Sequence, residues 1–484
     1  MMKQTIVSSF AIALLATSCA AQKLSVPNVE QLKTEASKSI QQQYDTYKDV
    51  ALDIWGFAEL GYQEVKSSNL LQDVLNKNGF KTESGVAGIP TAFVSSYGSG
   101  KPVIAILAEF DALPGLTQDA SPEKSPAEGR TSGHGCGHHL FGTGSVAAAI
   151  AIKELMVQGK IKGTVRVYGC PAEEGGSGKV YLVREGLFKD VDVAVHWHPD
   201  DINATSYTSS IANKSAKFRF YGVSAHAASA PQNGRSALDA VEAMNYMVNM
   251  MREHVPQESR IHYVITDGGK APNVVPDFAE VYYYVRHPER SWAESVFERI
   301  VKASEGAALG TGTTTDYEII GGTHDLLINK TLAEAMQANL LKIGGVEYTE
   351  AEKEFAAKIS KTFIGEVPDV SRAGTVMKAP HIEDSRGSTD VGDVSYVVPT
   401  VGMRAATWVP GTSAHSWQAV ASGGTEIGTK GMMVAAKSVA AMAIDLFTNP
   451  KLIEDAKAEL KASVGDYEYK AMLGDRKPAL DYRN

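Results

Sequence analysis

Residues 133–139 read Gly133-His134-Gly135-Cys136-Gly137-His138-His139, a stretch that places three imidazoles and one thiol among glycines. Imidazole nitrogens and thiolate sulfur are ligands that borderline metals such as zinc prefer. Glycine has no Cβ, so the backbone can fold tightly enough for Cys136 and His138 to aim at one point. A glycine-rich turn with surface histidines is the alternative interpretation. The density of ligand-type side chains favours a metal site, around which the rest of the chain is interpreted.

Three predicted strands near this stretch each end in residues that can bind metal or transfer protons. In an open α/β sheet, ligands bind outside the carboxyl ends of the strands. The first strand is continuously apolar, as expected of a parallel strand buried on both faces. The strands and the residues after them are Val103–Ala108 before Glu109 and Asp111, Thr164–Gly169 before Glu173 and Glu174, and Val191–Val195 before His196 and His198. The sequence therefore predicts an α/β fold with a site at one edge of its sheet.

From about Asn213 the pattern changes to alternating strands and amphipathic helices in the order βαββαβ, which is the split ferredoxin-like pattern. We therefore expect an inserted domain at residues 213–328, between catalytic segments 25–212 and 329–448. A sheet with one bare face would leave this insertion a surface for self-association. The tail, residues 449–484, is polar and indicates little.

Composition excludes some classes of function. The chain has 484 residues, too many for a single core, with 44% hydrophobic and 21% charged residues, as in ordinary soluble proteins. A net charge of -9, without a basic run, argues against nucleic acid as a partner.

The first residues predict export. Lys3, the apolar run Ile6–Ala16 and small residues follow the plan of a secretory signal over residues 1–20. Small residues before Cys19 are similar to a bacterial lipoprotein cleavage box, which would make Cys19 a lipid anchor; ordinary cleavage after Ala20 or Ala21 is the alternative. We expect a periplasmic location. In that oxidising compartment Cys136 and Cys170 could form a disulfide, but the motif favours a metal-bound thiolate at Cys136 and a small buried residue at Cys170.

Motifs in both domains carry a specific resemblance. They are WGFAELGYQE, AEFDALPG, SGHGCGHHLFGTG, GCPAEEGG, VHWHP, AHAASAPQNGRSALDA, APNVVP, STDVGDVS and GTSAHSWQ, in chain order. The chain resembles the aminoacylase and hippurate hydrolase family of two-metal amidohydrolases, in particular the branch that contains the B component of aminobenzoyl-glutamate utilization. The resemblance covers about Ala51 to Leu446. It implies a mixed-sheet catalytic domain with a dimerisation domain inserted into it.

The resemblance also implies a role for each site residue. Two divalent ions, Mn²⁺ or Zn²⁺, would be held by Cys136, His138, Glu174, His198 and His415. A hydroxide bridging the ions would attack the amide, with Glu173 as general base and Asp111 fixing a ligand. His226, Asn273 and Arg286 would contact substrate, with His226 supplied by the partner in a homodimer. The implied substrates are N-acyl amino acids, p-aminobenzoyl-glutamate first and dipeptides as the alternative.

Several alternatives stay open on the residues alone. His196 could replace His198 as the ligand, Asp111 could cap a turn, and Arg286 could be a solvated strand end. His139 replaces an Asp that is usual in relatives. Glu109 stands where a more distant branch has a metal-binding His, which suggests that Cys136 takes over that ligand.

Two other functional classes are compatible with parts of the sequence. A cysteine hydrolase could use Cys136 with His138 or His139, although a nucleophile and its base usually come from separate segments. A non-catalytic lipoprotein that binds metal or peptide would have no use for the second carboxylate, Glu173.

Overall fold

The computed structural model describes residues 28–381 and 387–483. The signal segment 1–20 and the lipid anchor at Cys19 lie outside the described residues, so export and a periplasmic location stay predictions from sequence.

The first catalytic segment supplies helices and strands in alternation. Its elements are α1 (Val29–Gln42), α2 (Tyr44–Phe57), α3 (Val65–Lys77), β1 (Lys81–Ser84), β2 (Phe93–Ser99), β3 (Val103–Glu109), β4 (Leu113–Pro114), β5 (Ser132–Gly133), α4 (His138–Val157), β6 (Gly163–Cys170), α5 (Gly178–Arg184), β7 (Val193–Asp200) and β8 (Ala204–Thr205). The inserted domain follows with β9 (Ala212–Tyr221), α6 (Ala237–Met251), β10 (Arg260–Asp267), β11 (Phe278–His287), α7 (Arg290–Thr311) and β12 (Thr314–Thr323). The chain then continues with α8 (Lys330–Ile343), α9 (Glu350–Ile359), α10 (Val391–Ser395), β13 (Thr400–Ala406), α11 (Trp417–Gly423), α12 (Glu426–Thr448) and α13 (Pro450–Val464).

The catalytic segments share one large mixed sheet, as predicted. Within the described ranges its strand order is β1-β2-β6-β3-β7-β13-β8. Strands β6, β3, β7 and β13 run parallel, whereas β1, β2 and β8 pair antiparallel at the edges. Every residue of β3 is buried, which confirms the expectation from its continuously apolar sequence.

Helices α4 and α12 form the apolar layer against this sheet. Both are long and apolar enough to cross a membrane by length and composition, but 78% of each apolar window is buried inside the fold. Two glycines let α4 approach the sheet closely. A Cβ at Gly142 would lie 2.7 Å from the carbonyl oxygen of Glu109, and one at Gly144 would lie 2.9 Å from the Trp197 ring. These contacts identify α4 as a core helix of the catalytic domain.

The inserted domain is an antiparallel sheet with the strand order β10-β11-β9-β12 and two helices. Its chain order is βαββαβ, as predicted. Strand β11 alternates between buried and half-buried residues, and the buried side chains form a separate core with α6 and α7. Strand β9 begins at Ala212, one residue before the predicted start of the insertion.

The tail differs from its uninformative appearance in the sequence. Residues 450–464 form α13, in which Ile453 and Ala456 are buried. Beyond it Met472 and Leu473 are also buried. The burial of these residues was not predicted from the sequence, because widely spaced apolar side chains in a polar segment produce no clear periodicity.

Candidate active site

The carboxyl ends of β3, β6 and β7 meet beside a cavity of about 800 Å³. From the catalytic domain the cavity is lined by Cys136, Glu173, Glu174, His198 and His415, among others. The inserted domain closes the opposite side with β9 and β11, including Arg286. One cavity therefore brings together most of the residues singled out in the sequence.

The turn before α4 positions Cys136 and His138 close together. Gly137 has a φ of +74°, and a Cβ there would lie 2.6 Å from the Pro199 Cβ. Only glycine combines this backbone conformation with so close an approach. Helix α4 then begins at His138, so the imidazole starts a rigid element.

Asp111 fixes the orientation of His138. The Nδ1 of His138 lies 2.8 Å from Asp111 Oδ1, so Nδ1–H donates to the carboxylate and turns Nε2 toward Glu109 Oε2, 3.0 Å away. The other carboxylate oxygen accepts the backbone N–H of Glu174 at 2.8 Å. Asp111 therefore joins two segments that contain predicted ligands, as a carboxylate that fixes a ligand would.

His198 reaches the same point from β7. Its Nδ1 lies 2.7 Å from the carbonyl oxygen of Pro199, and its Nε2 lies 3.6 Å from Cys136 Sγ. His196 instead packs against β13, where a Cβ at Gly402 would lie 2.3 Å from its Nε2. Burial lowers the pKa of both histidines to about 4, so the pKa does not distinguish them. The geometry therefore favours His198 over His196 as a ligand.

The strand that contains these histidines is longer at its carboxyl end than expected. The sequence predicted a strand over 191–195, whereas β7 spans Val193–Asp200 and includes both histidines. Pairing with β13 runs through Asp200 and supports the extra residues.

Two groups of ligand atoms share Cys136. The atoms of Cys136, His138 and His198 lie within 4.8 Å of one another, as do those of Cys136, Glu174 and His415. His138 Nε2 lies 3.0 Å from Glu109 Oε2, and Glu174 Oε1 lies 3.1 Å from His415 Nε2. Nitrogen, oxygen and sulfur atoms that converge in this way are typical of a metal site. Two neighbouring cation positions with a shared sulfur therefore fit this donor set.

His415 comes from a separate loop. Its backbone N–H donates to the carbonyl oxygen of Gly135 at 2.8 Å, which fastens this loop to the glycine-rich stretch. Its Nε2 lies 3.1 Å from Glu174 Oε1, and hydrogen bonding to this carboxylate raises the pKa of His415. His415 is partly exposed, so it closes the outer side of the second position.

The buried carboxyl of Glu109 and the half-buried carboxyl of Glu173 have opposite pKa shifts. Burial, followed by the negative charges of Glu109 and Glu174, raises the pKa of Glu173 well above its ordinary value. Burial alone would also raise the pKa of Glu109, but Lys179 and His138 lower it. The two carboxyls therefore differ in their affinity for a proton.

Lys179 is a site residue that the sequence analysis missed. Its side chain is fully buried, and its Nζ lies 2.6 Å from both Glu109 and Asp390. Glu109 in turn approaches His138 Nε2 at 3.0 Å, and Glu109, His138 and Glu173 form a third group of ligand-type atoms. The available signal was a lysine immediately before the apolar residues of α5.

His226 and Asn273 do not line the cavity of their own chain. They lie on adjacent exposed segments, where Ala227 N–H donates to the carbonyl oxygen of Asn273 at 3.0 Å. Arg286 does line the cavity, and its buried Nε has no hydrogen-bond partner. Of the three predicted substrate contacts, the fold brings only Arg286 to the site within one chain.

The two cysteines of the described ranges, Cys136 and Cys170, are free, so they do not form the disulfide considered above. Burial, with the nearby Glu174 carboxylate, raises the pKa of the Cys136 thiol. A cysteine hydrolase needs a thiolate nucleophile. Carboxylates around the sulfur disfavour a free thiolate and favour one that is neutralised by a cation.

Comparisons with known proteins assign the class. A family profile described as the M20 peptidase dimerisation domain matches residues 212–311. The chain is 41% identical over 442 residues to the B component of p-aminobenzoyl-glutamate hydrolase from Escherichia coli, covering 85% of this chain and 91% of the relative. It is 30% identical over 464 residues to the Xaa-Arg dipeptidase of Mus musculus, covering 91% and 94%.

Solved structures show the same fold. An aminobenzoyl-glutamate utilization protein from Klebsiella pneumoniae has a TM-score of 0.61 at 18% identity, with coverage of 84% of this chain and 97% of that one. A dinuclear metal-binding M20 peptidase from Bacillus subtilis has a TM-score of 0.56 at 18% identity, with coverage of 84% and 99%.

The chain belongs to the M20 family of peptidases and amidohydrolases and is an enzyme that acts on amide bonds. This result confirms the family inferred from the sequence motifs. It also rules out the non-catalytic lipoprotein alternative.

Proposed function

We propose that the protein hydrolyses the amide bond of N-acyl amino acids, with p-aminobenzoyl-glutamate as the first candidate substrate. The observation that carries this proposal is Arg286, a guanidinium in the same cavity as the ligand-type residues. Similarity to the Escherichia coli hydrolase along most of both chains supports the choice of acyl group.

Five residues would hold two divalent ions, manganese or zinc. They are Cys136, His138, Glu174, His198 and His415. The division into two groups around one sulfur supports two ions, because these five ligands exceed what one tetrahedral zinc accepts. Bound cations of this kind would polarise the scissile carbonyl and lower the pKa of water in the site.

Glu173 would move the proton. Its carboxylate lines the cavity, and its raised pKa allows it to accept a proton from the attacking water and to give it to the leaving nitrogen. Asp111 would keep His138 in one tautomer, with Nε2 directed at the ions. Lys179 would keep Glu109 ionised beside His138.

Arg286 would bind the free carboxylate of the substrate. On the cavity face of the small sheet Arg286 pairs in register with Asn213, and Tyr284 pairs with Ser215. The Nε of Arg286, a hydrogen-bond donor, is buried without a partner. A guanidinium can grip a carboxylate with two parallel hydrogen bonds. This wall therefore suits the terminal carboxylate of a short substrate and favours exo-cleavage.

A dipeptidase activity is the second candidate. The similarity to an Xaa-Arg dipeptidase over 94% of its length favours it. A dipeptide presents the same terminal carboxylate to Arg286, so the two candidates differ only in the group on the other side of the scissile bond.

We also propose a homodimer formed through the inserted domain, which the matching dimerisation profile supports. His226 and Asn273 would then contact substrate in the active site of the partner subunit.

The test compares p-aminobenzoyl-glutamate with its α-carboxamide, and wild type with Arg286→Ala. A charge-assisted hydrogen bond contributes about 1.5–3 kcal/mol, so either change should lower kcat/KM by roughly ten- to a hundredfold. Arg299→Ala is the control, because Arg299 is exposed on α7 and donates to the carbonyl oxygen of His254 away from the cavity. Equal cleavage of the carboxylate and the carboxamide would refute Arg286 as the anchor. A higher kcat/KM for dipeptides than for p-aminobenzoyl-glutamate would favour the second candidate.

A further inference from the structure

The C-terminal segment, residues 465–483, connects the inserted domain to the catalytic turn that contains Glu173 and Glu174. Met472 and Leu473 are 3% and 2% exposed. Met472 packs where β12 returns to the catalytic domain, because a Cβ at Gly322 would lie 2.6 Å from the Met472 Cβ. Leu473 belongs to the main hydrophobic core. These two side chains anchor the segment at the junction of the two domains.

The segment then contacts both domains through its polar atoms. Arg476 pairs with Glu318 on β12, and its Nη1 donates to the carbonyl oxygen of Ile319 at 3.0 Å. From the catalytic side, the Nη1 of Arg184 donates to the carbonyl oxygens of Gly474 at 3.0 Å and Arg476 at 2.7 Å. The path of the chain from this point is therefore set by both domains.

The end of the segment reaches the backbone of a predicted metal ligand. The hydroxyl of Tyr482 donates to the carbonyl oxygen of Glu174 at 3.0 Å, and the Nη2 of Arg483 donates to the same oxygen at 2.6 Å. The Tyr482 ring meets the Tyr62 ring edge-on with 5.5 Å between centroids. Tyr62 in turn donates to the carbonyl oxygen of Gly176 at 2.6 Å. Together these side chains hold the backbone of the turn at residues 173–176.

The catalytic domain is shaped to receive Tyr482. A Cβ at Gly61 would lie 2.2 Å from the Tyr482 hydroxyl, so no other residue fits there without displacement of that side chain. Gly175 has a φ of +91°, and a Cβ there would lie within 3.8 Å of both Tyr482 and Arg483. The backbone N–H of Glu174 already donates to Asp111. The peptide groups on both sides of this residue are therefore fixed, one by Asp111 and one by the C-terminal segment.

We infer that Tyr482 and Arg483 are positioning residues that hold the Glu173–Glu174 turn in its working geometry. The inference rests on the proposed function, because it assigns Glu173 to proton transfer and Glu174 to metal binding. Small displacements of reacting groups cost large factors in rate. Loss of the two donors to the Glu174 carbonyl should therefore act on turnover and on metal affinity more than on substrate binding.

The test uses Tyr482→Phe, Arg483→Ala, their double variant and the conservative Arg483→Lys. Asp481→Ala is the matched control, because Asp481 is the exposed neighbour in the same segment. The readouts are kcat and KM, the affinity of the metal-free protein for Mn²⁺ and Zn²⁺ by calorimetry, and hydrogen exchange of a peptide covering 172–178.

In the double variant we expect kcat to fall by about ten- to a hundredfold, with KM changed by less than about threefold. We also expect weaker binding of the metal and faster exchange across 172–178. Compared with Arg483→Ala, Arg483→Lys should keep a higher kcat, tighter metal binding and slower exchange, because an ammonium can still donate to the carbonyl. If the double variant does not fold, the same comparisons between Tyr482→Phe, Arg483→Lys and the control decide the matter.

A kcat, metal affinity and exchange rate equal to those of Asp481→Ala would overturn the inference. A loss of kcat that merely follows the loss in free energy of unfolding across the variants, with no recovery in Arg483→Lys, would also overturn the inference. That pattern indicates a merely structural role. The proposed function fails separately, if wild type hydrolyses none of the N-acyl amino acids or dipeptides. In that case faster exchange and weaker metal binding in the double variant would still support the positioning role.

Discussion

At the scale of single residues, the site separates two carboxyls by their neighbours. Lys179 lies against Glu109 and keeps that carboxyl ionised, whereas Glu173 has Glu109 and Glu174 as its main electrostatic neighbours. Pairs of titratable groups whose surroundings push their pKa values apart commonly divide acid and base roles. Under the proposed function, Glu109 would support His138 and Glu173 would exchange the proton.

Glu173→Gln should separate proton transfer from metal binding. The amide keeps the size of the carboxyl but cannot accept a proton, so kcat should fall by roughly two to four orders of magnitude, the usual contribution of a general base. Metal analysis should still give about two ions per chain, as in wild type, because five other residues would be the ligands under the proposed function. Glu83→Gln, an exposed change on β1, is the control. A variant with wild-type kcat would show that another group takes the proton.

Glu64 should make stability depend on pH. It is fully buried, its Oε1 accepts the Ala172 N–H at 2.8 Å, and burial followed by the charge of Asp111 raises its pKa to about 8. The folded protein then retains a proton that the unfolded chain releases near pH 4.5. The free energy of unfolding should therefore fall, by about 1.4 kcal/mol per pH unit for this group, as pH rises between these values.

Glu64→Gln is uncharged at every pH and should lack this contribution. Denaturant unfolding of both proteins at pH 5.5, 6.5 and 7.5 measures it as the difference between their free energies. As pH rises, the free energy of unfolding of wild type should fall steadily relative to that of Glu64→Gln. Parallel curves would show that Glu64 is ionised in the folded state.

At the scale of elements, periodicity in the sequence was sufficient to predict the main strands. The run of β3 predicted a strand buried on both faces, and the alternation that starts near Asn213 predicted the strands of the inserted domain, including β9 and β11. Cys136, His138, Glu174, His198 and His415 lie close together in space, whereas the roles that the family resemblance implies for them stay predictions. Local sequence was sufficient for the strands because each depends on the regular geometry of one element.

Features that depend on distant partners were not visible in the sequence. Lys179 is important because Glu109 and Asp390 converge on it from segments far apart in the chain. Tyr482 and Arg483 reach Glu174 only after the chain has folded back across both domains. No spacing rule predicts such contacts, because the partners are set by tertiary packing rather than by period.

At the scale of the whole molecule, the inserted domain has an exposed edge that suits a second copy. Strand β10 lies at the end of the small sheet, with Val264 56% exposed, and Tyr246 on the adjacent α6 is 69% exposed. An unpaired strand edge with apolar side chains is prone to association unless something covers it. A symmetric dimer of inserted domains would cover it. The exposed loops with His226 and Asn273 would then be available to the other protomer.

Mixing two inactive variants tests whether His226 acts in the partner's site. Glu173→Gln subunits lack the base but retain His226, and His226→Ala subunits lack the imidazole but retain Glu173. In a mixed dimer, the site of the His226→Ala chain would receive an intact His226 from its partner and should regain activity. Random exchange makes half of the dimers mixed, each with one working site, so about a quarter of wild-type activity should return.

His254→Ala, exposed elsewhere on the inserted domain, should leave activity unchanged. Mixed dimers that form, as shown by two affinity tags, but remain inactive would place the action of His226 within its own chain or remove it from catalysis. Full activity in a strictly monomeric protein would contradict the shared site altogether.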